Sequence, residues 1–417
     1  MTFPSIPLKR IARFTAGGTP SVGEPTNWSD GDEGHPWVAI GDMSSVDSVM
    51  TTARRISDYG LHSARIGLGK PGTILFSMYA SLGHTAWLGV SATWNQAILG
   101  IQPDQTTDAR FLRYSLASLR PNLLEQARSN TQANLNAEQV GNLLIPRPPL
   151  DEQRRIANFL DSETARIDKV RALQAEVRSA AKARLVAQLD LEMDELSERH
   201  GTRPFRRMIH SIEQGTSPQC DNFPATPGKW GVLKVSAVKN GVFVEDENKQ
   251  LPTEVKSESR YEVRPGDLLI TRANTPQLVG AAAVAVSPRK KLLICDKIFR
   301  VSITSDLMAN FLVFVSLSTK IRDMCAEASH GTSQSMANLK TEEIKRWPIP
   351  NVPLSIQSKV VADLSAARTQ VASLTEAIDS QLSLLTERRQ ALIMAAVTGQ
   401  IDVTTARSSV PSGDVTA

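Results

Sequence analysis

The feature that most constrains this chain is an internal repeat of about 200 residues. Residues 134–160 align with residues 338–364 at an offset of 204, and nine of the 27 positions are identical, where average composition would give about one or two. One of these identities is a glutamine, Gln153 in the first copy and Gln357 in the second. The sequence therefore predicts a tandem duplication, which restricts the fold to two similar units.

Weaker matches upstream keep the same order. They lie at offsets between 194 and 204, as loop insertions would produce. The matched pairs are Gly18-Thr19 with Gly215-Thr216, Pro71-Gly72 with Pro265-Gly266, Asn95-Gln96 with Asp296-Lys297, and Phe111-Leu112 with Phe311-Leu312.

Each copy ends in a segment with the pattern of a long helix. Apolar residues recur in heptads, which is typical of a coiled-coil interface. The predicted interface residues are Leu160, Ile167, Val170 and Val177 in the first copy, and Leu364, Val371, Leu374, Ile378, Leu385 and Leu392 in the second. Polar residues interrupt both stripes, namely Glu163, Gln174, Arg184, Gln381 and Arg388.

Capping residues mark the ends of both helices. Asp151 and Ser355 are good N-caps, and Gly201 and Gly399 stand where a left-handed C-terminal cap is expected. Helices over 151–200 and 355–398 would each be about 65–75 Å long. We expect each apolar stripe to pack against the other copy's helix, although packing on its own unit is the alternative.

The residues before each helix have a different pattern. Short apolar runs, broken by Gly, Pro, Asn and Ser, predict strands with long loops, and a helical stretch follows near 109–127 and 307–328. The predicted class is α+β, with two tandem mixed α/β domains separated by two long helices. The domain boundaries are 1–150, 151–200, 201–353 and 354–403, followed by a disordered tail at 404–417.

Composition narrows the class of protein. With 41% hydrophobic and 22% charged residues the chain reads as a soluble globular protein, and it has no run of about 18 apolar residues that could span a membrane. Its first residues lack a signal-peptide core. The three cysteines, Cys220, Cys295 and Cys325, form no CxxC pair. We therefore expect no disulfide framework, no metal site and a cytoplasmic location.

Charge is unevenly distributed. The whole chain carries a net +4, but residues 201–353 alone hold 21 basic and 15 acidic side chains. A basic module is a modest indication of nucleic-acid binding, because phosphate contacts dominate that affinity. An ordinary basic domain fits the charge equally well.

Catalytic motifs are missing from the sequence. The segment at 67–72, GLGKPG, lacks the spacing of a phosphate-binding loop. The six histidines have no metal-ligand spacing, and the two copies share no catalytic carboxylate or nucleophile. We expect no catalytic residue in this chain.

What the copies share is a set of polar loops beside glycines. Amide, hydroxyl and basic side chains suit hydrogen bonding to base edges and phosphates. The candidate DNA-binding residues are Thr19, Ser21, Ser77, Tyr79, Asn95, Gln96, Asn130 and Gln132 in the first module, and Thr216, Ser217, Gln219, Lys234, Thr271, Arg272, Asn274, Lys297, Ser333 and Gln334 in the second.

Together these features resemble the specificity subunit of a type I restriction–modification enzyme. The resemblance rests on the tandem layout, the helix entry IPRPPLDEQ (Ile145–Gln153) with its second copy at Ile349–Gln357, and the C-terminal segment RRQALI followed by AAVTG (388–399). It covers about residues 6–403.

The resemblance implies a non-catalytic DNA reader. Each recognition domain would read one half of a bipartite, asymmetric site in double-stranded DNA, and the two helices would form an antiparallel coiled coil that sets the spacing. Two modification subunits, which bind S-adenosylmethionine and methylate adenine, would dock on it. Two restriction subunits would use ATP and magnesium, so this chain itself would bind no cofactor.

Three alternatives remain open. The chain could be a coiled-coil scaffold that binds proteins, which predicts no salt-dependent DNA binding. It could be the reader of a methylation-only complex. It could also be an enzyme with an active site split between modules, which predicts activity from the purified chain alone.

Overall fold

The computed structural model describes residues 3–44, 46–129, 134–328 and 337–403. The chain divides into two compact units, unit 1 being Met1–Gln174 with Ser380–Ala417 and unit 2 being Ala175–Asp379. Each unit therefore holds one module together with part of each long helix. This division passes through the helices, and the predicted boundaries at 150, 200 and 353 remain predictions. The predicted tail at 404–417 lies outside the described residues.

Each module contains many short strands. The strands of unit 1 are β1 (Ser5–Pro7), β2 (Ala12–Ala16), β3 (Trp28–Ser29), β4 (His35–Val38), β5 (Ser48–Val49), β6 (Arg54–Ile56), β7 (Ile74–Ser77), β8 (Thr85–Leu88), β9 (Thr93–Trp94), β10 (Ile98–Pro103) and β11 (Leu144–Pro146). The strands of unit 2 are β12 (Thr202–Pro204), β13 (Ile209–Gln214), β14 (Gly231–Leu233), β15 (Val238–Lys239), β16 (Val242–Phe243), β17 (Asn248–Gln250), β18 (Leu268–Thr271), β19 (Ala273–Asn274), β20 (Ala282–Val284), β21 (Leu292–Leu293), β22 (Ile298–Ile303), β23 (Ala337–Asn338) and β24 (Pro348–Pro350).

The helices alternate with these strands along the chain. They are α1 (Ile40–Met43), α2 (Asp58–Ser63), α3 (Ala109–Ser129), α4 (Ala137–Gly141), α5 (Leu150–His200), α6 (Ala309–Leu317), α7 (Thr319–Ala328), α8 (Thr341–Lys345) and α9 (Leu354–Val397). The helix predicted near 307–328 is two helices, because the backbone at Ser318 turns to an extended conformation. The predicted mixed α+β class is confirmed.

The two central sheets have the same strand order. In unit 1 the order is β2-β10-β7-β8, with β5 added at the edge, and in unit 2 it is β13-β22-β18-β20. The middle strands β7 and β18 are buried at every position, as continuous apolar runs predict. The repeated order supports the duplication inferred from the sequence.

Strand register fixes which residues of the two copies are equivalent. Ile98 pairs with Ser77 at the end of β7, and Ile298 pairs with Thr271 at the end of β18. In the neighbouring ladder, Leu99 pairs with Ala16 and Phe299 pairs with Gln214. The loops that follow β2 and β13 therefore begin at equivalent glycines, Gly17 and Gly215. The sequence alignment had paired Gly18 with Gly215, one residue out of register.

The glutamine shared by both repeats attaches each module to its long helix. Gln153 is buried, and its Oε1 accepts from the Asp108 backbone N–H at 2.9 Å while its Nε2 donates to the Pro148 carbonyl at 3.0 Å. Gln357 does the same, with its Oε1 accepting from the Met308 N–H at 2.8 Å. A buried side chain that satisfies backbone groups of another element fixes the position of that element.

Helices α5 and α9 begin and end within one residue of the predicted limits. The residues that follow them, Gly201 and Gly399, have φ values of +70° and +75°, so the predicted left-handed caps are confirmed. The helices begin at Leu150 and Leu354, so Asp151 and Ser355 lie in the first turn and their assignment as N-caps was wrong. The sequence thus located both helices from periodicity and from the C-terminal glycines.

Within unit 1, the first half of α5 runs antiparallel to the second half of α9. Leu160 shares a core with Ile393 and Ala396. Further along, Asp168 faces Arg389 at 3.4 Å, and Gln174 Nε2 donates to Gln381 Oε1 at 2.5 Å. Residue numbers rise along one helix as they fall along the other, as antiparallel pairing requires.

Within unit 2, the second half of α5 and the first half of α9 are also antiparallel. Arg178 forms an ion pair with Asp379. Leu189 and Met193 share a core with Val360 and Leu364. The antiparallel pairing implied by the family resemblance is therefore found in each unit.

The predicted interface residues are only partly correct. Leu160, Ile167, Leu364 and Ile378 are buried, and Val371, Leu385 and Leu392 are half-buried. Val170, Val177 and Leu374 are exposed, so their assignment was wrong. The face of α5 that turns inward instead carries residues such as Arg171, Gln174 and Arg178. Gln174 and Gln381, which interrupt the predicted stripes, bond to each other, and Arg178 faces Asp379, so polar pairs make up part of the helix contact.

Candidate nucleic-acid interface

Two loops meet at one end of the central sheet in each unit. The first follows β2 or β13, and the second precedes β10 or β22. A Cβ atom added to Gly17 would lie 2.1 Å from the Asn95 carbonyl oxygen, and one added to Gly215 would lie 1.9 Å from the Ile294 carbonyl oxygen. Only glycine permits this approach of two backbones. The glycines therefore bring the polar residues of the two loops together.

A hydroxyl of the first loop donates to a side chain of the second in both units. In unit 1 the Thr19 hydroxyl donates to Gln96 Oε1. In unit 2 the Ser217 hydroxyl donates to Asp296 Oδ1, and the Asp296 backbone N–H donates back to the Ser217 oxygen at 3.3 Å. Thr19, Gln96 and Ser217 are exposed, and Asp296 is half-buried. The structure thus brings three predicted contact residues into equivalent pairs.

Cationic side chains accompany this pair in unit 2. The Arg272 guanidinium donates to the Asp296 carbonyl at 3.4 Å, and the Arg272 backbone N–H donates to the Lys297 carbonyl at 2.8 Å. The equivalent backbone bond in unit 1 joins Met78 to Ala97, also at 2.8 Å. Arg272 and Lys297 therefore replace two buried apolar residues of unit 1.

A neighbouring carboxylate offsets the charge of Lys234. Its ammonium group lies 3.5 Å from Glu247 Oε2. The pKa of Glu247 is lowered by the hydrogen bond from the Ser236 hydroxyl and by the nearby charge of Lys234. Glu247 thus stays ionised and offsets the charge of Lys234.

Two predicted contact residues are buried instead. Ser77 and Thr271 have no exposed surface. The Ser77 hydroxyl donates to the Tyr79 carbonyl at 2.7 Å, and the Thr271 hydroxyl donates to the Leu278 carbonyl at 3.0 Å. Because these hydroxyls satisfy the turns that follow β7 and β18, we correct their assignment to structural residues.

The remaining candidates lie at the surface or partly buried. Ser21, Thr216 and Gln219 are exposed, and Tyr79, Asn95 and Asn274 are half-buried. Both amides are engaged locally, since Asn95 Oδ1 accepts from the Ala97 N–H at 3.1 Å and Asn274 Oδ1 accepts from the Thr275 N–H at 2.8 Å. The four candidates at positions 130, 132, 333 and 334 (Asn130, Gln132, Ser333 and Gln334) lie outside the described residues.

Sequence reasoning missed Asp296 as a member of this site. It had been aligned with Asn95, whereas strand register makes it the equivalent of Gln96. The available signal was the conserved spacing to the following strand, since Gln96 and Asp296 both stand two residues before it. That spacing becomes visible only once the strand limits are known.

Unit 1 also contains a large cleft between its module and its helices. The cleft has a volume of about 1120 Å³, and its cationic lining residues are Arg110, Arg113, Arg120, Arg171 and Arg389. Asp161 accepts from Arg110 at 2.7 Å and from the Tyr114 hydroxyl at 2.8 Å. Burial, together with Asp161, raises the pKa of Tyr114 to about 12.

Metal ligands, membrane spans and disulfides were also considered as features of the fold. Within the described ranges, no group of three or more His, Cys, Asp and Glu side chains is placed to hold a metal ion. Over the same residues, no helix is both long enough and apolar enough to cross a membrane. The cysteines of the described chain are free, and burial raises the pKa of Cys295 to about 11.

Comparison with known proteins gives one consistent group of relatives. Residues 6–179 match the family model of the type I restriction modification DNA specificity domain. The EcoEI specificity subunit of Escherichia coli is 35% identical over 160 residues, which is 38% of this chain and 27% of that protein. The EcoKI specificity subunit of E. coli strain K12 is 21% identical over 313 residues, or 72% of this chain and 67% of that protein.

A solved structure extends the likeness to nearly the full length. A chain from a study of complex assembly and conformational transition of the type I R-M system superposes with a TM-score of 0.68 at 19% identity. The superposition covers 96% of this chain and 98% of that one. The chain thus shares the fold of that protein.

Proposed function

Because residues 6–179 match the type I restriction modification DNA specificity domain, we propose that the chain is a specificity subunit that recognises DNA sequence for such a complex. Each unit would read one half of a bipartite, asymmetric site in double-stranded DNA. The observation that carries this proposal is the repeated pair of polar loops, Thr19 with Gln96 and Ser217 with Asp296. Side chains that combine acceptors and donors at loop tips suit contacts with base edges.

In this proposal the chain is a non-catalytic reader. Two modification subunits would dock on its two similar units, since a duplicated chain offers two similar faces to identical partners. They would bind S-adenosylmethionine and methylate adenine. Two restriction subunits would supply ATP-dependent cleavage with magnesium, and this chain would hold none of these cofactors. A reader of chromosomal DNA would work in the cytoplasm.

Mapping DNA methylation tests this function. We expect that deleting the gene removes one bipartite adenine-methylated motif from the host genome, and that restoring the gene restores the motif. Retention of every bipartite motif in the deletion strain would contradict the proposal. A protein scaffold would leave methylation unchanged, whereas an enzyme acting alone would be active without its neighbours.

We further propose that the paired helices fix the number of unread base pairs between the half-sites. Deleting one heptad from each helix, residues 175–181 and 376–382, preserves the heptad register and shortens each helix by about 10 Å. We expect the gap to shrink by about three base pairs while both half-sites stay the same. Deleting 175–181 alone is the control, because it misaligns the helices. Altered half-sites would argue against the spacer role.

A further inference from the structure

The paired loops of the two units differ in one chemically decisive group. Strand register makes Gln96 equivalent to Asp296, and the residues that hold them, Thr19 and Ser217, are equivalent as well. The hydroxyl donor is kept in both units. The acceptor is a neutral amide in unit 1 and a carboxylate in unit 2.

The hydroxyl fixes the orientation of each acceptor but leaves part of it free. In unit 1, Gln96 Oε1 accepts from Thr19, so the Gln96 amide nitrogen keeps both of its hydrogens for another partner. Gln96 therefore presents a donor beside an acceptor. This combination matches the N7 acceptor and the N6 amino donor of adenine in the major groove.

In unit 2 the same position can only accept. Asp296 Oδ1 receives the Ser217 hydroxyl, which leaves Oδ2 to accept from an amino group. The cytosine N4 amino group is the matching donor in the major groove. A carboxylate would be repelled by the O4 of thymine and by the O6 of guanine, since both are acceptors. Adenine offers an amino donor beside the N7 acceptor, so cytosine is the base that presents a donor without a neighbouring acceptor.

A cation beside Asp296 fits the other base of the same pair. The Arg272 guanidinium donates to the Asp296 carbonyl at 3.4 Å, so it lies beside the backbone of Asp296. Arginine is the commonest partner of guanine O6 and N7. Unit 1 has Met78 at the equivalent position, buried and uncharged, which suits a pair without guanine.

From this geometry we propose that Gln96 and Asp296 are equivalent base-reading residues, with Gln96 reading the adenine of an A·T pair and Asp296 reading the cytosine of a C·G pair. Thr19 and Ser217 are positioning residues that orient them. This inference rests on the proposed function and adds which residue determines one base pair in each half-site.

Reciprocal substitution in the complete host complex tests this assignment. The variants are Asp296→Gln and Gln96→Asp, with the methylated motif mapped across the genome. We expect Asp296→Gln to convert one C·G position of one half-site to A·T, and Gln96→Asp to make the reverse change in the other half-site. Methylation of the original motif should fall by about 5- to 150-fold, the range for one mismatched base pair.

Matched controls carry the same chemical changes elsewhere. The first control is Asp323→Gln, because Asp323 lies on the exposed surface of α7. The second is Gln105→Asp, because Gln105 lies in an exposed loop of unit 1. Both should leave the motif unchanged. Asp296→Asn keeps the side-chain volume, and we expect it to relax the same single position.

Substitutions of Ser217 distinguish a positioning role from a general effect on stability. Ser217→Ala should relax the same base pair that Asp296→Asn relaxes, and Ser217→Thr should restore it, because threonine already serves at the equivalent position in unit 1. A merely structural role would lower methylation at all positions alike.

The outcomes distinguish this inference from the proposed function. An unchanged motif in both reciprocal variants, a change in both half-sites from one substitution, or complete loss of methylation with Asp296→Asn would overturn the base-reading role. If the motif also survives deletion of the gene, the proposed function itself fails. If deletion removes the motif but the variants do not alter it, only this inference fails.

Discussion

The two copies share a backbone framework but cover their long helices differently. In unit 2, the turn between β15 and β16 packs on α9, and the Arg368 guanidinium donates to the carbonyls of Asn240 at 2.8 Å and of Gly241 at 3.4 Å. In unit 1 the residue at the position of Arg368 is Thr164, which lines the open cleft. The helix surface around Arg368 is therefore covered by a turn in unit 2, whereas the equivalent surface around Thr164 lines a cleft in unit 1.

The residues around this place explain the difference. A Cβ on Gly241 would lie 3.0 Å from Val313 and 3.1 Å from Leu317. The sequence matches to these residues in unit 1 are Arg113 and Ala117, and both line the cleft. The apolar side chains of Val313 and Leu317 can pack against a turn, whereas the Arg113 guanidinium requires water or a polar partner. A duplicated fold thus keeps its strands and helices while its loops diverge.

The largest effect is expected at the buried glutamine that both copies share. Replacing Gln153 or Gln357 by leucine leaves buried backbone groups without partners, at about 1–3 kcal/mol for each group. We expect both substitutions to lower the free energy of unfolding by similar amounts, as measured by urea denaturation. Gln105→Leu, in an exposed loop, is the control. A large loss at one position alone would show that the copies have diverged in this attachment.

The next largest effect is expected where the two loops contact each other at one end of the central sheet. Gly215→Ala and Gly17→Ala each place a methyl group against a carbonyl oxygen, and overpacking of this kind costs about 1–3 kcal/mol. We expect each to impair recognition of one half-site only, as read from methylation maps. Gly67→Ala, which meets nothing within 4 Å, should be tolerated. Equal loss at both half-sites would mean that the loops do not act separately.

A smaller effect is expected at high pH from a tyrosine of unit 1. Tyr114 has its pKa raised from 10.0 to about 12, chiefly by burial. Because the folded pKa lies above the unfolded one, the stabilisation is fully present below pH 10 and is lost as the pH rises through 12. Two pKa units correspond to about 2.7 kcal/mol, and the loss should be smaller than this because Tyr114 is only half-buried and solvent screens the interaction. Its equivalent in unit 2 is Phe314, so Tyr114→Phe should remove this part of the pH dependence of urea unfolding. The part that comes from Cys295 and Cys325 of unit 2, whose pKa values burial raises to about 11, should remain.

The smallest effect concerns the packed turn of unit 2. Arg368→Ala removes two hydrogen bonds to backbone carbonyls and should lower the free energy of unfolding by about 1 kcal/mol. Thr164→Ala at the equivalent position is the comparison, since the Thr164 hydroxyl bonds to the Leu160 carbonyl and the Tyr114 hydroxyl and not to a loop of the module. Equal losses would contradict the claim that only unit 2 depends on this position.

Sequence reasoning was most successful where a pattern is long. The repeat, the two long helices and their glycine caps were all predicted, because heptads and capping residues are local signals. The family predicted from the sequence is also the one whose model matches residues 6–179. The buried runs at β7 and β18 also identified the central strands.

It failed where the answer depends on register or on distant neighbours. Val170 and Val177 were assigned to the helix interface, but Gln174 and Arg178 face the partner helix instead. Ser77 and Thr271 resembled loop residues until the strand limits placed them inside. No sequence pattern reveals that Ser217 reaches Asp296, since 79 residues separate them.

The division of the chain has a consequence for its synthesis. Unit 2 is one continuous stretch, Ala175–Asp379, whereas unit 1 needs the segment after Ser380 to complete it. On the ribosome the second unit can therefore close before the first, although the first begins to emerge earlier. A chain cut short after Asp379 would keep one finished reader and leave the other without the helix that covers Phe111 and Leu160.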